Sequence, residues 1–478
     1  MKYLIFGNSH LINYAQKYFG KAEVIICADN DNQNFLSQTF ISYDEAVCNE
    51  PKVELENLLP VDSKLIKDMR DCEALFLRMA DRLLPHGGYQ ERKDLYLGYL
   101  KTWNNIIDDD FDFVIFHNVP HECFDYVIYR ICKLKQIKTF CFYTLPIRPN
   151  KKEIYMHMIT DIENPDLEIL KTHELLQSSS GSIIKDQKKS LNTHSMIEYY
   201  DECLLPLDHF SQFTRSEGKD EGYIKSFSYF VKKTIRYLQK YGYKNTLFKV
   251  FTSFKNILFF DDYFLSHRKY NHIYKEHTTA PSFESKYIYF PLHYQPEAST
   301  SPLAGAFVDQ WLIIDMLSNA VDADTKIYVK DHPRQGNILK TNNFISNILS
   351  KENVVLIDYQ VNSLSLIRNS YAVATATGSA GLEAILNLKP VLMFGNRIYQ
   401  TGPGVYQIET YLDLQSALQK IIVNTNHMKD VELFFKALDL NVFPGFLSEK
   451  DESLSSLNQD QVAKNCIKKV HENINAIL

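Results

Sequence analysis

Residues 371–396 read YAVATATGSAGLEAILNLKPVLMFGN, and this stretch constrains the fold more than any other. Tyr371–Thr375 is a run of the kind that forms a strand buried on both faces. It stops at Thr377-Gly378-Ser379-Ala380-Gly381, residues too small and permissive to continue a strand. A helix-forming segment with Glu383 follows, and Lys389-Pro390 leads into a second apolar run, Val391–Phe394. Strand, tight turn, helix and strand in close succession make a βαβ unit of a parallel sheet. At such a turn free N–H groups and the positive end of the helix dipole converge, and the hydroxyls of Thr377 and Ser379 add donors. Glu383, one turn into the helix, is placed to accept hydrogen bonds from a ribose. The turn is not GxGxxG and has no phosphate-loop lysine, so it points to a phosphate-bearing ligand and away from ATP hydrolysis and NAD. An ordinary strand–turn–helix fits the same residues.

A second motif lies two βα units upstream. Residues 326–334 read KIYVKDHPR, a short strand ending in Asp331-His332-Pro333-Arg334. Ligands of open α/β sheets bind at the carboxyl ends of strands, so both motifs can face one crevice. His332 can donate to a phosphate oxygen or protonate a leaving group. Arg334 can neutralise a phosphate or carboxylate.

The 478 residues suffice for two or three domains with sizeable cores. With 45% hydrophobic and 23% charged residues the composition is that of a globular protein, and a net charge of −6 argues against nucleic acid as the partner. Eight cysteines are scattered without a CxxC or zinc spacing, which predicts buried free thiols and a reducing cytoplasm. The N-terminal apolar run is too short for a signal peptide, and no stretch is long and apolar enough to span a membrane.

The pattern predicts an α/β chain in four parts. Residues 1–150 form a Rossmann-like domain with strands at Lys2–Phe6, Glu23–Cys27, Asp112–Phe116 and Lys138–Tyr143. Its candidate acceptor-side residues are His10 after the first strand, His86 in Pro85-His86-Gly87-Gly88, and His117 and Asn118 after the third. His121 and Glu122, in the same HNVPHE loop, are candidates for proton transfer, with metal ligation as the alternative. Asp108–Asp110 precede a strand and read as a solvated loop. Residues 151–280 form a helical, basic-aromatic insertion or extension. Within it, 223–260 holds eight Lys or Arg and no acid, which suits anionic membrane or polyanionic glycan, or a solvated basic face. Residues 281–440 form a second Rossmann-like domain, with strands Tyr287–Phe290, Lys326–Lys330, Val354–Ile357, Tyr371–Thr375 and Val391–Phe394 and helices at 307–320, 338–350, 361–369 and 380–388. Residues 441–478 form a C-terminal helical tail.

Two Rossmann-like domains facing a cleft, with the phosphate turn in the second, describe the GT-B glycosyltransferase architecture. The segment TGSAGLEAILNLKPVLMFG resembles the donor-phosphate turn of that superfamily, which includes UDP-GlcNAc 2-epimerases. Residues 287–310, YIYFPLHYQPEASTSPLAGAFVDQ, followed by YVKDHP, resemble bacterial capsule and surface-polysaccharide biosynthesis proteins that include Kdo transferases. The His-Pro turn is shared with bacterial sialyltransferases. The resemblance implies a CMP-activated 2-keto-3-deoxy acid sugar (Kdo, pseudaminic or sialic acid) as donor and a surface glycan, free or lipid-linked, as acceptor. It implies no cofactor and no metal. Gln295, Lys330, Pro333, Arg334, Thr377, Gly378, Ser379, Gly381 and Glu383 would hold the nucleotide, with His332 at the leaving group and Glu297 acting on the sugar or holding the cytosine or ribose. Glu297, Ser299 and Thr300 also suit capping of the next helix, and Asp309-Gln310 a structural role. Three alternatives share the fold: a CDP-glycerol-type polyol-phosphate transferase, a sugar-nucleotide epimerase, and a non-catalytic glycan-binding protein. Peripheral attachment at the inner face of the cytoplasmic membrane follows from the basic block.

Overall fold

Two seven-stranded sheets carry the described residues. The computed structural model describes residues 1–27, 35–49, 58–84, 87–145, 154–178, 272–295, 297–332, 342–423, 427–447, 449–452 and 455–476. His86, Cys203, Pro296, Pro333, Arg334 and the basic block 223–260 lie outside the described residues.

The first sheet takes β1 (Tyr3–Gly7), β2 (Ala22–Cys27), β3 (Ser37–Ser42), β4 (Phe113–Phe116), β5 (Lys138–Thr144) and β6 (Tyr155–Ile159). The second takes β7 (Thr278–Thr279), β8 (Tyr287–Pro291), β9 (Lys326–Lys330), β10 (Val354–Ile357), β11 (Ala372–Thr375), β12 (Val391–Met393) and β13 (Val405–Gln407). The chain then returns to the first sheet with β14 (Val442–Pro444), antiparallel to β6. The β5–β6 pair is also antiparallel, and every other pairing is parallel. The α/β class and the two Rossmann-like domains expected from the sequence, the GT-B layout, are what the chain adopts.

Burial on both faces is why the central strands read as unbroken apolar runs. All of Tyr3–Gly7, Phe113–Phe116 and Ala372–Thr375 is buried. One face of the first sheet packs Tyr3, Ile5, Phe113 and Ile115 against the helices Ser9–Phe19 and Gln459–Asn475. The C-terminal helix therefore belongs to the first domain, with Val462, Cys466, Ile467 and Val470 in its core. The opposite face joins one face of the second sheet in a continuous apolar cluster that includes Trp103, Phe124, Tyr287 and Leu382.

Five strands are absent from the sequence reading. β3 alternates in exposure at a sheet edge, and β7, β13 and β14 are two or three residues long, so neighbours rather than periodicity define them. β6 is different: YMHMI is fully buried and was legible as an apolar run. Residues 155–178 complete the first domain and 278–279 join the second sheet, so the described parts of 151–280 are divided between the two. The helix expected over 307–320 starts as a 3₁₀ turn, Gly305–Val308, and is α-helical from Trp311. None of the seven described cysteines is in a disulfide, and all but Cys48 are buried.

Candidate active site

In the second sheet the order is β13-β12-β11-β8-β9-β10-β7. The chain leaves β8 for β9 on one side and later sets β11 on the other. Such a reversal opens a crevice at the carboxyl ends, here bounded by the loops after β8, β9 and β11. Those loops carry His293 to Thr300, Asp331-His332, and Thr377-Gly378. The two sequence motifs thus flank one loop, as their positions at strand ends predict.

The β11 turn is held from beneath by His293, which the sequence reading quoted but gave no role. The Thr377 amide donates to His293 Nε2 at 3.0 Å, and the Thr375 hydroxyl lies 3.2 Å from the same nitrogen. A backbone N–H needs an acceptor, so Nε2 is the bare nitrogen and the proton sits on Nδ1. The Gly378 amide donates to Thr375 Oγ1 at 2.9 Å. Gln310 clamps the His293 backbone, accepting from its N–H at 2.6 Å and donating to its carbonyl at 3.2 Å. The Thr377 hydroxyl donates to the Ser299 carbonyl, and Tyr399 to that of Gly378. A Cβ at Gly395 would lie 2.8 Å from both the Leu303 carbonyl and Thr377 Cγ2, so that position admits no side chain.

Thr377 and Gly378 therefore use their amides internally, and Thr377 its hydroxyl too. The Gly381 amide is also spent, on the Gly378 carbonyl at 3.2 Å, which leaves the amides of Ser379 and Ala380 as the anion donors at the start of the helix Ser379–Leu386, whose N-cap, Gly378, has no side chain. Gly381 abuts Tyr399, its missing Cβ only 2.7 Å from that hydroxyl. Burial pushes the Glu383 carboxyl up, opposed by a hydrogen bond from Ser379 and by Lys330. Burial lowers the Lys330 ammonium to about 8 against Glu383 and Asp358, and it donates to the Val361 carbonyl at 2.6 Å and Ser363 Oγ at 2.7 Å. His332 is half-buried, its ring 5.6 Å from that of Tyr294 and its amide donating to Asp331 Oδ1 at 2.7 Å. Gln295 is buried and donates to the Val308 carbonyl at 2.5 Å. Glu297 is exposed, and the Thr300 hydroxyl accepts its amide at 3.2 Å. Asp309 forms an ion pair with Arg78 of the first domain.

The first sheet has its own reversal, with β1 between β4 and β2. His117 donates its amide to the Phe6 carbonyl at 2.9 Å and sets its ring edge-on to Phe6, centroids 4.5 Å apart. The Asn118 side chain accepts the Val119 amide at 2.7 Å. His10 lies apart from these, 3.7 Å from Asp460 of the C-terminal helix. Asp125 shapes the loop: its carboxylate accepts the amides of His121 at 3.0 Å and Glu122 at 2.7 Å. Burial, with Glu122 beside it, raises that carboxyl to about 7. Cys123 has φ 71° and ψ −71°, and the Phe124 amide reaches the Glu122 carbonyl at 2.9 Å, a γ-turn of the strained hand. The strain sits where Glu122 is presented, and Glu122 Oε2 is buried without a hydrogen-bond partner. Arg82, whose Nη1 donates to the His121 carbonyl at 2.7 Å, interacts with Glu297 across the domain boundary. Arg397 likewise covers the Tyr143 ring at 4.4 Å. Among the described residues no group of three or more His, Cys, Asp or Glu is arranged to hold a metal, and no helix is long and apolar enough to cross a membrane.

His121 Nδ1 lies 2.5 Å from the Val119 carbonyl, and burial together with Arg82 lowers the imidazole to about 4. An unfolded histidine takes up its proton near pH 6.5 while this one stays neutral, so His121 costs stability as pH falls from about 6.5 to about 4. Asp125 works oppositely: its raised pKa favours the folded state as pH falls through about 7 toward 4. His121→Asn should therefore be less stable than wild type at pH 7.5, by about 1 kcal/mol for the lost hydrogen bond. The gap in melting temperature should narrow below pH 6.5 and reverse in sign before pH 4, where the cost of keeping this imidazole neutral exceeds about 1 kcal/mol. A gap that stays constant across that range would contradict the assignment.

No curated protein matches the chain. Among solved structures, the KpsC β-Kdo 2,7 transferase of Thermosulfurimonas dismutans is 11% identical at a TM-score of 0.35, over 82% of this chain and 95% of that one. A UDP-GlcNAc 2-epimerase from Methanocaldococcus jannaschii is 11% identical at 0.29, over 92% and 99%. Likenesses this distant carry nothing about activity. The resemblance read from the sequence is borne out by a family match: residues 304–419, which hold both the Asp331-His332 turn and the Thr377–Ser379 turn, match the family model described as capsule polysaccharide biosynthesis protein.

Proposed function

We propose that the protein is a glycosyltransferase of capsule or surface-polysaccharide assembly. It moves a 2-keto-3-deoxy acid sugar, Kdo or a nonulosonic acid, from a CMP-activated donor to a glycan acceptor. The observation that carries this reading is a coincidence of place: the capsule-biosynthesis match spans the two turns that the strand order sets on either side of the β8 loop.

On this reading the donor's single phosphate lies at the start of the helix Ser379–Leu386, with Glu383 toward the ribose and Lys330 behind it as a second cation. One phosphate needs no metal clamp of the kind a pyrophosphate takes. The bond from the anomeric carbon to the phosphate oxygen breaks and CMP leaves, its growing charge met by His332 and the helix amides. The acceptor hydroxyl bonds to the same carbon and gives its proton to a carboxylate. Glu122 is the better base than His121, because its Oε2 is unpartnered while His121 is held neutral with little basicity. Glu297, exposed on the loop after β8, is a carboxylate of the second domain, accepting from the Ser299 hydroxyl at 3.0 Å.

Ligand linkage supplies the test. CMP should raise the melting temperature more than UDP, GDP or ADP. An equal or larger shift with UDP would overturn the CMP assignment. Product masses from CMP-Kdo, CMP-sialic acid and CMP-pseudaminic acid then identify the sugar.

A further inference from the structure

Arg82 stands at the end of a 3₁₀ turn, Ala80–Arg82, that follows the helix Arg70–Met79. Its guanidinium is only partly satisfied. Nη1 donates to the His121 carbonyl at 2.7 Å, while Nε and Nη2 are buried without a hydrogen-bond partner. Arg92, close by, shows what a structural arginine does here. It donates from Nε to the Gly87 carbonyl at 2.9 Å, from Nη1 to that of Leu77 at 3.0 Å, and from Nη2 to that of Leu84 at 3.1 Å. It also pairs with Asp81 at 2.6 Å. Leaving two charged donors buried and unmade is costly, and a fold keeps such a pair where something else fills it.

The two empty donors are the pair on one edge of the guanidinium. Their N–H bonds run parallel, spaced for the two oxygens of a single carboxylate. Glu122 adjoins His121, whose carbonyl Arg82 holds, and the charge of Glu297, across the domain boundary, bears on the Arg82 guanidinium. Glu297 is exposed, so this boundary reaches solvent. In a 2-keto acid sugar the carboxylate is one bond from the anomeric carbon. On the acid-sugar reading, a carboxylate held on Arg82 would set the reacting carbon beside the loop that carries Glu122.

We propose that Arg82 is the carboxylate-binding residue of the cleft, its Nε–H and Nη2–H edge receiving the carboxylate of the transferred acid sugar in two parallel hydrogen bonds. This rests on the acid-sugar reading above, but its test does not need turnover. Wild type, Arg82→Lys and Arg82→Gln are titrated calorimetrically with free Kdo and N-acetylneuraminic acid, with the carboxyl-reduced form of each, and separately with CMP. Wild type should bind at least one acid and fail to bind its reduced form. Arg82→Lys keeps the charge but loses the fork, and should bind the acid about tenfold or more weakly, with CMP binding unchanged. If Arg82→Gln fails to fold, the lysine variant still decides. Unchanged acid binding in the folded variants, equal binding of the reduced sugar by wild type, or no acid binding by wild type would each overturn the proposal. CMP binding with acid binding indifferent to Arg82 removes this inference and keeps the nucleotide reading. Acid binding through Arg82 without CMP binding does the reverse.

Discussion

Replacing His332 by alanine is expected to lower turnover by about 100-fold or more while changing donor affinity much less. His332 lies two residues past the end of β9, the strand next to β8 on the side opposite β11. Its backbone is fixed by Asp331, whose own amide donates to the Tyr274 hydroxyl at 2.9 Å, so the ring is presented from a braced turn. A donor to the departing phosphate acts most strongly when negative charge has grown there, which places its effect in kcat rather than in KM. Thr377→Ala is the contrast. Its hydroxyl tethers the turn to Ser299, so losing it should loosen the nucleotide site and weaken binding. A folded His332→Ala enzyme with near-normal turnover would make the His332 turn architectural and pass the leaving group to the helix amides.

His293→Ala should have the largest effect on stability, about 2–4 kcal/mol. The imidazole is 7% exposed, so removing it leaves a cavity and strands the Thr377 amide. The β11 turn then loses its support, and CMP binding should fall with it. Denaturant unfolding reads the first effect and CMP titration the second. A variant as stable as wild type, binding CMP normally, would show that the turn holds its shape without His293. His293→Gln, which can return one acceptor near Nε2, should recover part of the loss.

Much of the second domain was legible before any coordinates. β9 and β10 have the expected bounds, and β8, β11 and β12 differ by one residue at an end. These strands are buried on both faces, so their composition alone marks them, and Gly, Pro and Asn punctuate the turns between them. The edge strands had no such signal, because their pairing comes from neighbours and not from their own pattern.

The candidate site divides along the same line. The residues of the Asp331-His332 and Thr377–Ser379 turns are local motifs, and their chemistry follows from a strand ending where a helix begins. What each side chain does is not local. Thr377 looks like a hydroxyl donor for phosphate, yet it bonds to Ser299, 78 residues away, and its amide to His293, 84 residues away. His293 is invisible as a site builder in the sequence because its partners, Thr375 and Thr377, are brought to it by strand order, whereas Asp125 holds amides only three and four residues away. Arg82 carries no motif at all, since it is distinguished only by two donors that the folded chain leaves unmet. The sequence by itself determined the βαβ order of the second domain and the turns at its strand ends, products of short-range periodicity and turn chemistry, and residues 304–419 are similar to the capsule polysaccharide biosynthesis model. Only the tertiary structure decided which loops meet, which polar groups are already satisfied and which face the cleft unpaired, because hydrogen-bond partners far apart in the chain are chosen by packing.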